Sequence, residues 1–271
     1  MLGHFEVFCK DKLLTLFFKP EKKSYNKAKK GRPMRLDKVI EEQLQTTRKA
    51  MKRLFLMHKV IVDGQIERNP ARNVDSQLHE IIVDGERLVT QQVYYLLNKP
   101  FGVVTAKKDG QFQTVTELVA PIDFRAELYP VGRLDRDTTG LLLLTDNGQL
   151  GYDLLQPGLK VSKTYQAEIN ERVTEADIAA FAEGIIFDGG IVCQPAKLKI
   201  LATTEKSSKV ELTIQEGKFH QVKKMFLARG KKVTALKRVA MGPLVLPADL
   251  APGDYRKLTV QELQQLKIYF R

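Results

Sequence analysis

The chain has 271 residues, 43% of them hydrophobic, and a formal net charge of +12. That length accommodates one large or two modest domains with a real core, and no run approaches the roughly 18 to 20 apolar residues of a membrane helix. The basic balance points to an acidic partner, nucleic acid first and an anionic membrane surface second, while the two distant cysteines, Cys9 and Cys193, indicate neither a disulfide framework nor a thiolate metal site and fit a reducing cytoplasm.

Residues 1–33 hold nine Lys/Arg against three acids, half of the charge excess. Leu13 to Phe18 is too short for a signal-peptide core, and no small-residue cleavage site follows it. Lys22 to Pro33 is basic and nearly free of aliphatic residues, which predicts a disordered extension with non-specific RNA affinity. Met34 opens a well-patterned segment and is expected to be the natural start.

A first domain is predicted over 34–90. Leu36, Val39, Ile40 and Leu44 recur at helical spacing, and Thr46 or Thr47 caps a second helix that carries Ala50, Leu54 and Met57 on one side. Two strand-then-Asp-Gly patterns follow, Val60 to Ile66 and Ile81 to Gly85, each a tight turn between short strands. The helices expose Arg35, Lys38, Arg48, Lys49, Lys52, Arg53 and Lys59 against only Asp37, Glu41 and Glu42. A charge run is ordinarily a solvated face, but a one-signed face is costly unless a polyanion neutralises it.

The larger second domain is predicted over 91–271. Strands are expected at Tyr94 to Lys99, at Phe101 to Thr105 after a Gly turn, and at Lys163 to Ile169, Ala196 to Ile200, Lys209 to Ile214 and Lys232 to Val239. Helical patterns fill Thr114 to Val119, Leu150 to Leu155, Glu175 to Glu183 and His220 to Arg229. The fold class is α+β with a mostly antiparallel mixed sheet.

Chemistry concentrates in three places. In Gly132-Arg133-Leu134-Asp135-Arg136-Asp137-Thr138-Thr139-Gly140, a carboxylate stands between two arginines just ahead of Leu141 to Leu144. Asp135 is thus held at the rim of something buried, where an enzyme would keep a carboxylate nucleophile. The competing reading is a structural cap formed with Thr138. Tyr165 lies in a strand of alternating polar residues and alone reads as a packing group. In Glu216 to Phe226, Val222, Met225 and Phe226 form an apolar helix face, with Lys223 and Lys224 on other sides; those lysines alone read as surface solvation. Asp137 reads as a solvated turn residue and His220 as a structural histidine, and His4, His58 and His79 lack metal-ligand spacing.

Residues 34–88 resemble the S4 RNA-binding domain, through Arg35-Leu36-Asp37-Lys38, Thr47-Arg48-Lys49-Ala50 and Val60-Ile61-Val62-Asp63-Gly64. With the three chemical segments, the Asn98-Lys99-Pro100-Phe101-Gly102-Val103 opening and the Leu250 to Thr259 terminus, residues 34–266 resemble the pseudouridine synthase superfamily, in its S4-bearing ribosomal small-subunit branch. The resemblance implies Asp135 as the catalytic aspartate, Tyr165 as the ring that stacks on the target uracil, and Lys223 as the basic partner of Asp135. It implies RNA contacts from Arg133, Arg35, Lys38, Arg48, Lys49, Arg53 and Lys224, and no metal or cofactor. Large-subunit relatives carry Asn-Arg where this chain has His220-Gln221, which favours 16S ribosomal RNA, free or in a precursor particle. The expected protein is a cytoplasmic monomer. A 23S target and a non-catalytic S4-type assembly factor remain the alternatives.

Overall fold

A computed structural model describes residues 35–187 and 189–271. The expectations about residues 1–33 and Met34 lie outside the described residues. All described residues fall in one unit, Gly31–Arg271.

The chain opens with α1 (Leu36–Gln43) and α2 (Arg48–Leu56), the latter capped by Thr47, whose hydroxyl accepts from the Ala50 N–H at 3.2 Å. Leu36, Val39 and Ile40 bury one face of α1 as their spacing predicts. On α2 the buried residue is Met51, with Leu54 and Phe55 packed beside it, whereas Met57 is 54% exposed. The predicted Ala50–Leu54–Met57 face is therefore rotated by about one residue, because the bulkier Met51 and Phe55 take the core side.

Strands β1 (Val60–Val62), β2 (Gln65–Ile66), β3 (Ile81–Val83) and β4 (Glu86–Arg87) form a sheet in the order β2-β1-β3-β4. Both hairpins turn on the predicted Asp-Gly pairs: Asp63 and Gly64, like Asp84 and Gly85, have positive φ, the geometry that matches strand twist in a two-residue turn. These elements share one core, from Leu36 to Leu88.

The larger part contains β5 (Tyr94–Lys99), β6 (Tyr129–Pro130), β7 (Thr139–Thr145), α3 (Gly148–Leu155), β8 (Lys163–Ile169), α4 (Glu175–Glu183), β9 (Ile186–Phe187), β10 (Ile191–Val192), β11 (Lys197–Thr203), β12 (Ser208–Ile214), α5 (Gln221–Ala228), β13 (Val233–Met241), β14 (Leu244–Val245), β15 (Tyr255–Lys257) and α6 (Val260–Leu266). Its main sheet runs β11-β12-β8-β13-β7-β5-β15, with β14 on β13 and β6 on β7. The β13–β7 pair is parallel and the other described pairs are antiparallel, so the sheet is mixed and mostly antiparallel.

Two predicted elements are absent. Thr114 to Val119 forms successive turns, Glu117 N–H to Thr114 O and Val119 N–H to Thr116 O, rather than a helix. The β-branched Thr114-Val115-Thr116 run disfavours helix, and the Glu117 carboxylate takes the Thr114 N–H at 2.8 Å. Phe101 to Thr105 is likewise not a strand; a single parallel bridge, Val104 to Thr114, is all that forms there.

Strand β7 is buried on both faces. Leu142 and Leu144 enter one core with Tyr95 and Leu97 of β5, while Leu141 and Leu143 enter a second with Tyr94 and Leu96. A strand covered on both sides reads as a continuous apolar run without alternation. The first of these cores takes Val222, Met225 and Phe226 of α5, along with Leu134 and Tyr165.

Candidate active site

Asp135 lies in the loop that leaves β6 and enters β7, and main-chain contacts set its position. The Thr105 hydroxyl donates to Leu134 O at 2.7 Å and accepts from Leu134 N at 3.2 Å. Gly102 N–H donates to Arg136 O at 2.9 Å. Beneath the loop, the fully buried Lys99 ammonium donates to Pro100 O at 3.0 Å, Arg136 O at 3.2 Å and Thr138 O at 2.8 Å. Three donors thus meet three carbonyls, which offsets part of the cost of burying the charge. Burial pulls the Lys99 pKa down to about 8, with Asp137 and Asp135 opposing it. The cap reading of Asp135 does not hold in this geometry: the Thr138 N–H donates to the Asp135 main-chain oxygen at 3.0 Å, leaving the carboxylate to face outward.

That carboxylate meets α5. Lys223 Nζ donates to Asp135 Oδ2 at 3.0 Å, joining two residues 88 positions apart. It also donates to Asp137 Oδ1 at 2.6 Å, so Asp137 is not merely a solvated turn residue. A cation that reaches one carboxylate of a tight loop readily reaches another two residues on. Burial alone would lower the Lys223 pKa, but the two carboxylates outweigh it and the value is raised. Asp137 responds in the opposite sense: burial would raise it, yet Lys223, with a smaller contribution from His220, holds it below the ordinary value.

His220, which reads in the sequence as a structural histidine, also meets Asp135. Its Nε2 lies 3.5 Å from Asp135 Oδ1, and its ring stacks on Phe219 with centroids 3.8 Å apart. Its backbone is left-handed, with φ of 53°, which is uncommon for a residue with a β-carbon. The neighbouring Gln221 points the other way and is 3% exposed: its side chain accepts from Lys218 N at 2.8 Å and donates to Glu216 at 2.6 Å. In the His-Gln pair, then, the histidine faces the site and the glutamine holds the loop ahead of α5.

Tyr165 lies in the main sheet, in β8. Across the sheet, Lys99 pairs with Gly140, Gly140 with Arg238, Arg238 with Tyr165, and Tyr165 with Leu212. Paired residues share a face, so Tyr165 stands on the same side as Lys99, facing the core that α5 covers. Gly140 is needed in this row: with φ of 101°, a β-carbon there would collide with the Arg238 carbonyl oxygen. Arg238 is 2% exposed, and its Nε donates to Leu141 O at 2.8 Å. Neither Lys99 nor Arg238 stood out in the sequence. A lysine in a strand whose other residues are all apolar or amide was the available signal for Lys99.

The predicted RNA-contacting cations divide. Arg133 is exposed at the loop's start and lines a cleft of about 820 Å³ with Thr105, Lys107, Tyr129 and Asn73. Arg136, which is not among them, holds its guanidinium 4.3 Å from the Phe112 ring centre. Arg35 is bound to Asp37 at 2.7 Å and Lys38 to Glu41 at 2.6 Å, so neither is a bare charge. Arg48, Lys49, Lys52 and Arg53 lie exposed on one side of α2 and form no ion pair among the described residues. Lys224 Nζ lies 5.5 Å from the ring centres of Phe187 and Phe219.

A loop carboxylate joined to a helix lysine at the edge of an apolar core can act as a positioned nucleophile or base. Residues 93–228 match the family model described as RNA pseudouridylate synthase. An uncharacterized RNA pseudouridine synthase, YtzG, of Bacillus subtilis is 40% identical over 234 residues, covering 86% of this chain and 98% of that protein. The ribosomal small subunit pseudouridine synthase A of Escherichia coli K12 is 39% identical over 234 residues, covering 85% and 98%. A solved pseudouridylate synthase structure superposes with a TM-score of 0.60 at 37% identity, covering 86% of this chain and all of that one. The site loop, Tyr165 and Lys223 all fall inside the family match, and the chain belongs to the RNA pseudouridylate synthase family.

Proposed function

We propose that this protein isomerises a uridine of 16S ribosomal RNA to pseudouridine, with Asp135 as the catalytic carboxylate, Lys223 as its cationic partner and Tyr165 as the ring beneath the uracil. The observation that carries the reading is the 3.0 Å contact between Lys223 and Asp135 at the rim of the pinned loop. The reaction breaks the N1–C1′ bond, turns the base, forms C5–C1′ and moves the C5 proton to N1, directly or through solvent, so no atom or electron is gained. The target base must leave its stack to be reached, at a cost of a few kcal/mol that an aromatic floor and a cationic rim help to offset. Asp135 serves as an anion, whether it attacks base or sugar or promotes proton loss from the ribose.

The part formed by α1, α2 and β1 to β4 serves, in this reading, as an S4-type RNA-docking lobe, with Arg35, Lys38, Arg48, Lys49 and Arg53 as its RNA contacts, while Arg133 and Lys224 contribute nearer to the site. The protein acts as a cytoplasmic monomer on 16S RNA or a precursor particle. The name of the Escherichia coli relative and the His220-Gln221 pair support the small-subunit assignment.

The test is pseudouridine mapping in both ribosomal RNAs of a deletion strain, complemented with wild type or Asp135→Asn. A 16S site that disappears on deletion, returns with wild type and stays absent with Asp135→Asn is expected. In vitro the substitution should lower kcat by about 10³-fold or more while RNA binding stays within a few-fold. A lost site in 23S RNA instead would overturn the target assignment, and pseudouridine formed by Asp135→Asn would overturn the role of Asp135.

A further inference from the structure

Phe219 is 73% exposed, although a phenylalanine ring is among the most costly groups to leave in water. It is not at a loose end of the chain. One side of it is backed by the His220 ring at 3.8 Å with an interplanar angle of 21°, and His220 in turn stands 3.5 Å from the Asp135 carboxylate. The pair is held in place from both directions. Upstream, Glu216, Lys218 and the buried Gln221 lock the loop together; downstream, α5 is anchored by Val222, Met225 and Phe226 in the core. The left-handed backbone of His220 is a local strain that this framework imposes, and such strain gathers at functional positions. Lys224 Nζ lies 5.5 Å from the Phe219 ring centre, while Lys223 is held by Asp135 and Asp137.

We infer that the Phe219–His220 stack is a second nucleobase platform, which takes the unpaired base next to the target uridine while Tyr165 takes the target itself. The inference rests on the reading that the protein acts on RNA. Tyr165 and Phe219 are suited to different bases. Tyr165 is 8% exposed and packs in the core that α5 covers, whereas Phe219 is 73% exposed. When a uridine is everted, its neighbour in the strand loses a stacking partner. An open aromatic face backed by His220, which itself stands 3.5 Å from the Asp135 carboxylate, replaces it. The platform therefore helps to hold the everted state rather than to perform the chemistry.

The experiment uses Phe219→Ala, Phe219→Leu and Phe219→Tyr in the full chain, with 16S and 23S ribosomal transcripts as probes. Binding is measured in an Asp135→Asn background over a range of salt, and kcat and KM are measured with Asp135 intact. Loss of one base stack, about 1–3 kcal/mol, corresponds to a roughly 5- to 150-fold weaker Kd and higher KM for Phe219→Ala. Its kcat should stay within about threefold, and the slope of log Kd against log salt should not change, since no phosphate contact is lost. Phe219→Tyr should restore wild-type binding to within about twofold and Phe219→Leu should not. Binding by Phe219→Ala within twofold of wild type would overturn the platform. So would equal rescue by leucine, which would mean simple apolar packing against a partner of another kind, or a salt slope lowered by about one, which would mean a disturbed phosphate contact. Thermal unfolding should match wild type, since the ring is mostly in solvent. A wild-type protein that binds the transcripts but forms no pseudouridine would sink the enzymatic reading and leave the platform to stand or fall on the binding series.

Discussion

At the scale of single residues, the site depends on charges whose partners are main-chain atoms as much as on charges paired with one another. Lys99 is the plainest case, since its ammonium meets carbonyls on either side of Asp137 and one at the end of its own strand. Replacing it with methionine removes the buried charge, so the fold is not the main casualty. The loop carbonyls lose their donors, and Asp135 is free to drift from Lys223. A displacement of about 1 Å in such a geometry costs on the order of 100-fold in rate. Lys99→Met is therefore expected to lower kcat about 10- to 100-fold while the Kd for ribosomal RNA changes less than about threefold, measured by single-turnover kinetics and filter binding. An equal loss in Kd and kcat would show that Lys99 supports the RNA surface instead. Asp135 stood out in the sequence through its motif, whereas Lys223 alone read as a surface lysine and was joined to Asp135 only by the resemblance. Asp137 and His220 did not stand out, since their roles come from where a loop and a helix end happen to meet.

At the scale of elements, helix α4 shows how a charge can stabilise a terminus and tie it to distant chain. Thr174 and Asp177 form a capping box, and the buried Asp177 carboxylate also receives Arg229 and Lys231, each at 3.1 Å. Burial would raise its pKa, but the Thr174 N–H, Lys231 and Arg229 together outweigh burial and the value is lowered. A carboxylate with a folded-state pKa below its unfolded value, near 3.9, contributes stability that is fully present above about pH 4 to 5 and is lost as pH falls through the folded value. Asp177→Asn should thus cost about 2–4 kcal/mol at pH 7, and the gap between variant and wild type should shrink as pH drops below about 4, read by urea unfolding at several pH values. A gap independent of pH would mean that the carboxylate's charge contributes nothing. The helix at Glu175–Glu183 was visible in sequence, as were the strands at Tyr94–Lys99 and Lys163–Ile169. The Thr114 to Val119 helix failed because β-branching and a side-chain acceptor outweighed a loose apolar spacing.

At the scale of the whole molecule, the N-terminal elements are joined to the sheet by a buried polar knot. Asp75, fully buried, accepts from Tyr94 OH on β5, from Asn147 Nδ2 at 3.0 Å ahead of α3, and from Thr90 Oγ1 at 3.0 Å. Burial first, and Asp75 second, push the Tyr94 hydroxyl's pKa up, so it stays a donor. Leu78 enters the same core as Leu141 and Leu143, and Lys267 reaches Asp63 at 2.7 Å. Asp75→Ala would strand the tyrosine and asparagine donors at a cost of about 3–5 kcal/mol. The expected result is a lower-temperature unfolding transition in calorimetry and, in the docking-lobe reading, weaker binding of ribosomal RNA even where the catalytic part remains folded. A single transition at the wild-type temperature would mean that apolar contacts alone set the lobe's position.

Local pattern was enough to determine β5, β8, β11, β12 and β13 of the mixed sheet, the Asp-Gly hairpins, the apolar face of α5 and the loop that carries Asp135, because each depends on neighbours within a turn or two of chain. The tertiary structure alone decided that Leu141 to Leu144 is a strand between two cores, that Lys99 pins the Asp135 loop from below, and that Asp137 and His220 meet Asp135 and Lys223. It also decided that Gly140 allows β13 to approach β7, and that Arg35 and Lys38 are already paired while α2 presents its cations to solvent. Those outcomes depend on which surfaces meet across 80 or more residues, and hydrophobic burial specifies that meeting only once the whole sheet has formed.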